Sequence, residues 1–300
     1  MPLPPRSPAT ARTAPARIAR RAFTSLVTAL LAGCVPATES AWGVEALSTP
    51  APSQVPDNCY ADPGPLPFVA PPQAARVVEP GGSYPTVQSA VDAARPGDVI
   101  LVRPGVYRES VTIRKSNLTL WGLPGAVISG ANRLEGWTKD AQGAWSVAYS
   151  APGSSGGQCR DGVNCGSNLS LYRDGRALKR VSSTPGAGDY VYRNGRLELG
   201  ASPAGHVFEV PARAYWIKAE KADNIVIRGL TFRVAVPPAQ RGGLENNGGN
   251  NWVIQGNDLA FSHASGAYLD GENVQFTGNR VHENGQEGVA SGFSRGLKVN

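Results

Sequence analysis

One short segment occurs twice near the end of this chain. Trp252-Val-Ile254-Gln-Gly-Asn257 realigns with Val274-Gln-Phe276-Thr-Gly-Asn279 at an offset of 22 residues. Leu259 then matches Val281, and Gly266 matches Gly288, at the same offset. Leu297-Lys-Val299 continues at 23, and Ile225-Val-Ile227 is a looser copy displaced by 27. A unit of this length holds three short strands and their corners. It cannot bury an apolar face alone, so copies must stack on one another. Asn257 and Asn279 then share a corner and form a side-chain ladder. The pattern describes a parallel β-helix.

The upstream half fits the same rhythm. Val99–Val102, Val111–Ile113, Leu118–Trp121 and Val127–Ser129 are β-rich runs separated by Gly, Pro, Asn and Ser. Strands this short, with no helices between them, exclude a doubly wound sheet. Thirty-six glycines and 25 prolines exclude a helical bundle. One helix is expected: Thr86 is an N-cap, Val87, Ala90, Val91 and Ala94 recur at helical spacing, and Pro96-Gly97-Asp98 ends it. Residues 131–213 break the rhythm. They carry Trp137, Trp145 and two turn pairs, Asp174-Gly175 and Asn194-Gly195, and Leu171-Tyr-Arg and Leu197-Glu-Leu flank those turns as hairpin strands. This reads as an inserted antiparallel β subdomain. The expected organisation is a leader over 1–34, a linker rich in Pro, Ala, Ser and Thr over 35–78, a cap with the first turns over 79–130, the insertion over 131–213, and further turns over 214–300. The repeat reaches Asn300 without a closing cap, so further C-terminal turns are expected.

The leader carries Arg6, Arg12, Arg17, Arg20 and Arg21, no acid, and an apolar run from Ala22 to Gly33. A run of twelve residues makes a signal-peptide core and is too short to span a bilayer. Leu31-Ala32-Gly33-Cys34 resembles a bacterial lipobox, which implies lipidation of Cys34, and Arg20-Arg21-Ala22-Phe23 is similar to a twin-arginine signal. The expectation is an exported protein, either a cell-surface or periplasmic lipoprotein or a secreted one, touching membrane only through a lipid anchor. Removing the five leader arginines leaves 24 basic against 23 acidic residues, so the formal +6 is no nucleic-acid footprint. In an oxidising compartment Cys159 and Cys165, six apart in a Gly-rich loop, are a candidate disulfide, with Cys59 as a competing partner.

Tyr84-Pro-Thr-Val-Gln-Ser-Ala-Val-Asp-Ala-Ala, then Pro96-Gly97-Asp98, then Arg103-Pro-Gly-Val-Tyr-Arg-Glu109, resembles the N-terminal cap of the pectate-lyase-like right-handed β-helix superfamily. The resemblance covers about 80–130 and 216–300. It implies an all-β, right-handed parallel β-helix. It is specific for fold and weak for activity, because the superfamily holds lyases, glycosidases, esterases, epimerases and binding proteins. The catalytic motifs of the superfamily's pectin methylesterases are absent. Ser291-Gly-Phe293-Ser294 is similar to a run in chondroitinase-B-like alginate lyases, with Phe293 where their lysine stands.

The resemblance places a polysaccharide groove on one sheet, here on Gly243–Asn247, Gly266–Asp270 and Gly288–Gly292. Strand alternation points Leu244, Ala267, Leu269, Val289 and Ser291 inward. It points Glu245, Asn247, Tyr268, Asp270, Ala290 and Gly292 outward, in the columns Glu245–Tyr268–Ala290 and Asn247–Asp270–Gly292. Glu245 and Asp270 are then diagonal neighbours at about 7–8 Å. That separation suits the acid and base of an inverting glycosidase, where carboxyls stand about 6.5–9.5 Å apart. It equally suits Ca²⁺ held by Glu245 and Asp270, with Asn247, Glu272 and Glu287 near enough in the pattern to help, as in calcium-dependent β-elimination. Tyr268, Asn247, His263 and Arg295 are candidate substrate contacts, and His282 an acid or base beside Glu287. The leading expectation is a polysaccharide lyase or glycosidase. The alternative is a non-catalytic surface or periplasmic protein that binds glycans or partners through the same wall.

Overall fold

The computed structural model describes residues 71–141, 143–152 and 169–300. The lipobox Cys34, Cys59, and the Cys159–Cys165 loop lie outside the described residues. Three parallel sheets run the length of the body, and the chain visits them in turn. The first wall stacks seven strands: Arg76–Val78, Val99–Val102, Leu118–Gly122, Ile225–Arg228, Val253–Gln255, Gln275–Thr277 and Lys298–Val299. The second stacks Gly105–Tyr107, Ala126–Ser129, Thr231–Ala235, Asp258–Ser262 and Arg280–His282. The third stacks Val111–Ile113, Ile217–Ala219, Gly242–Glu245, Ser265–Tyr268 and Val289–Ala290. This is the expected β-helix in the expected register. Ile227, Ile254, Phe276 and Val299 lie in one file, and Leu259 lies beside Val281. Except at the last rung the inward residues of these files are buried, and Trp216, Phe232 and Trp252 are the largest fully buried side chains among the described residues.

The corner asparagines bind rung to rung. Asn257 Oδ1 accepts from the Leu230 N–H at 3.0 Å, and its Nδ2 donates to the Ile227 carbonyl and to Asn279 Oδ1, each at 3.0 Å. Asn257 is fully buried, so these bonds satisfy groups that water cannot reach. A second ladder, not foreseen, runs along the corner before the first wall. Asn117, Asn224, Asn251 and Asn273 all adopt φ between 55 and 63°. Their amides link in series at 2.9, 2.9 and 3.3 Å. Asparagine tolerates this left-handed conformation better than most side chains. The residues just before them, Ser116, Asp223 and Asn250, each accept the backbone N–H of the next rung, the last donated by Glu272.

The N-terminal motif is folding machinery. Helix Val87–Ala93 is capped by Thr86, whose hydroxyl accepts from the Ser89 N–H at 3.0 Å while Ser89 Oγ reaches back. Glu109 accepts from the Val87 and Gln88 N–H groups, both at 2.8 Å, so a carboxylate sits on the free amides of the first turn. The Tyr107 hydroxyl donates at the Val78 and Arg103 carbonyls, and Asp98 pairs with Arg76. These bonds explain why the motif marks the fold and not an activity.

The insertion leaves after Ala126–Ser129 and returns before Ile217–Ala219, within a single turn of the helix. It contains a four-stranded and a five-stranded sheet, with antiparallel pairing except where Lys179–Arg180 meets Asp189–Arg193 in parallel. Both expected hairpins form. Asp174 and Gly175 have φ of 51 and 76°, and Asn194 and Gly195 have 51 and 72°, as two-residue turns require. The insertion builds its own apolar cluster around Leu171, Leu197, Tyr190 and Phe208. Tyr172 seats it on the body against Phe261, ring centroids 5.3 Å apart.

Candidate ligand-binding wall

The outer face of the third wall carries a row made by lateral pairing: Thr112, Lys218, Glu245, Tyr268 and Ala290. The expected column Glu245–Tyr268–Ala290 is therefore present, extended by Lys218. Glu245 does not meet solvent, however. Its side chain is fully buried, and Arg241 forks onto both carboxylate oxygens at 2.7 and 2.9 Å. The Gly242 N–H adds a third bond at 3.3 Å. A charge buried to this depth requires such pairing. With both oxygens held, Glu245 reaches a substrate only if Arg241 moves away.

Glu245 instead aims Arg241, whose guanidinium carbon lies 4.4 Å from the Tyr268 ring centroid. The carboxylate bond raises the Arg241 pKa above the ordinary guanidinium value, against a smaller opposing effect of burial. One rung away, Lys218 Nζ lies 4.6 Å from the Tyr215 ring centroid. Two cations on adjacent rungs are thus each held against a phenol ring. Lys218 and Arg213 have no carboxylate partner among the described residues. Arg213 bonds instead to the Ala131 carbonyl and Asn132 Oδ1. Burial, and then the neighbouring Arg108 charge, push the Arg213 pKa down.

Asp270 does different work. Its Oδ1 accepts the Gly292 and Phe293 N–H groups at 2.9 and 2.8 Å and the Ser291 hydroxyl at 3.4 Å. It fixes the next turn of chain, and Ser291, expected inward, is exposed there. The strand stops at Glu245, so the neighbour bonded to Asp270 is the buried Asn246, while Asn247 turns away at φ 48°. Gly292 leaves room for the Tyr268 hydroxyl, since a side chain there would strike it. The other candidates do not converge. His263 lies beyond the second wall, its backbone N–H donating to the Ala235 carbonyl. Arg295 pairs with Glu272 at 3.2 Å on a separate two-stranded sheet, and Glu287 is exposed in a loop. Among the described residues no three His, Cys, Asp or Glu side chains gather as a cation site, so Asp270, Glu272 and Glu287 are not brought together.

His282 meets Asp258 at 3.0 Å on the second wall, and Asp258 also accepts from Arg233 at 2.8 Å. Burial raises the Asp258 pKa, but Arg233 and then His282 more than reverse this, leaving it below the usual aspartate value. Sequence reasoning missed Tyr215 and Lys218. The in-out-in run Ile217-Lys-Ala219 was the available signal, hidden because the insertion separates it from its turn.

No family model matches the chain, and no curated protein matches it. Among solved structures, XylC, determined with xylose, is similar over 71% of this chain and 54% of its own, with a TM-score of 0.53 and 14% identity. The fold is that of the parallel β-helix proteins. A pectin methylesterase determined with a hexasaccharide aligns at 17% identity over 69% of this chain and 50% of its own, with a TM-score of 0.30. PemA from Erwinia chrysanthemi aligns at 16% identity and a TM-score of 0.29, over the same shares. The chain spans about half the length of these proteins. Among the described residues no helix is long and apolar enough to cross a membrane.

Proposed function

We propose that the outer face of the third wall binds an acidic polysaccharide. The observation that carries this reading is the pair of cations braced on tyrosine rings: Lys218 on Tyr215 and Arg241 on Tyr268. Uronate carboxylates meet Lys218 and Arg241, and the apolar face of a sugar lies along Tyr268 and the small Ala290. Strand spacing of about 4.8 Å repeats such contacts along a chain of sugars. XylC, which shares the fold, was determined with a sugar bound. Binding is favoured over catalysis by Glu245 and Asp270 because one is sealed in an ion pair and the other holds backbone amides. The test is titration calorimetry of the full chain with an oligogalacturonate and a neutral xylo-oligosaccharide. The acidic ligand should bind more tightly, less so at high salt. Lys218→Gln should weaken it at least tenfold without changing the melting temperature. Equal affinity for both ligands, or no effect of Lys218→Gln, overturns the reading.

A further inference from the structure

The insertion carries a second cationic surface. Its hairpin Tyr172–Arg173 with Arg176–Ala177 sets Arg173 directly opposite Arg176. Like charges in such a cross-strand pair repel. Arg176–Ala177 is an edge of the four-stranded sheet, and Lys179–Arg180, just beyond, is an edge of the five-stranded one. Arg176, Lys179 and Arg180 are all exposed. Among the described residues none of these four cations is in an ion pair. The nearby carboxylates, Asp174 and Asp189, each bond other groups. Asp174 accepts the Val207 N–H at 2.9 Å and His206 at 2.6 Å. These two bonds, in that order, hold its pKa below the ordinary aspartate value. Asp189, opposite Lys179, accepts the Gly186 N–H at 3.2 Å. A single charge is enough to keep an edge strand from pairing. Four cations, two of them opposed, exceed that need.

We infer that this edge binds a linear anionic glycan, carboxylated or sulfated. Guanidinium forks match the oxygens of either group. On these strands and their neighbour Asp189–Arg193, Tyr172 and Tyr190 are buried and Tyr192 is half-buried with its ring against Tyr149, so among the described residues these strands offer no fully exposed aromatic face for a nucleic-acid base to stack on. Among residues 173–180 no large apolar side chain is exposed, so the strands lack the apolar face by which an element lies in a bilayer surface. The inference does not rest on the third wall, which lies on other strands.

The test uses the full chain with dextran sulfate, polygalacturonate, neutral dextran, phosphatidylserine-containing vesicles and duplex DNA. Dextran sulfate or polygalacturonate should bind with an affinity that falls as salt rises, and which of them binds more tightly identifies the anionic group. The triple variant R176Q/K179Q/R180Q should lose at least tenfold in that affinity while keeping its melting temperature. The loss caused by the triple variant should be of the same size in a Lys218→Gln background. Unchanged affinity in the triple variant overturns the inference. So does a loss seen only in Lys218→Gln, the absence of binding to either glycan, or tighter binding to vesicles or DNA.

Discussion

The helix body and its insertion solve the edge problem in opposite ways. In the body, each strand pairs in parallel with the rungs above and below, and its partner is a whole turn away in sequence. Register there is held by long-range matching and by buried asparagines that bind backbone on neighbouring rungs. In the insertion, strands pair across two-residue turns, so register is set locally by Asp174-Gly175 and Asn194-Gly195. The body therefore presents long outward rows, such as Lys218–Glu245–Tyr268. The insertion presents short charged edges. A row suits a polymer lying along it, and an edge suits a charge contact at its end.

The largest expected effects separate the two cores. Phe232→Ala, in the fully buried file of the body, should cost about 3–5 kcal/mol, and Leu197→Ala in the insertion about 2–5 kcal/mol. Hydrogen exchange should show the first loosening neighbouring rungs and the second loosening only the insertion's sheets. Uniform loosening of both regions by either change would break the comparison. Next come the ion pairs. Glu245→Gln removes the charge of a fully buried carboxylate that Arg241 forks onto and should cost about 1.5–3 kcal/mol by denaturant unfolding. Glu198→Gln, whose partner Arg193 is half exposed, should cost less than about 1 kcal/mol. Asparagine does distinct work in the two regions. Asn257→Ala strands bonds on adjacent rungs and should cost about 1–3 kcal/mol, whereas Asn194→Gly keeps the turn and should stay within about 0.5 kcal/mol.

The smallest effect is pH dependence. The folded pKa of Asp258 lies below its unfolded value of about 3.9. Its contribution is therefore complete above that value and is lost as pH falls through the lower, folded pKa. Asp258→Asn should flatten the decline in stability below about pH 4. An acid branch identical to the native protein's would show that Arg233 and His282 do not hold this carboxylate.

Legibility followed the same division. The repeat exposed the file Ile254–Phe276 and the ladder Asn257–Asn279 because these recur at a constant offset within one uninterrupted stretch. The ladder from Asn117 to Asn224 was equally written in the chain, but with the insertion between them its members stand 107 positions apart. Alternation placed Glu245 and Tyr268 in one outward row, yet could not show that Arg241, four residues earlier, folds back to bury Glu245. Nor could it show that the strand ends at Glu245, so that Asn246 and not Asn247 meets Asp270. Facing follows from period; burial on an outward face depends on which long side chain lies over it.

The most direct test is a structure of the full chain with an acidic oligosaccharide bound. A sugar ring should lie along Tyr268 and Ala290, with a carboxylate about 2.7–2.9 Å from Lys218 Nζ or the Arg241 guanidinium, and the Arg241–Glu245 pair intact. An oligosaccharide bound on another face, with Lys218 and Arg241 untouched, would contradict the assignment of the third wall as the binding surface.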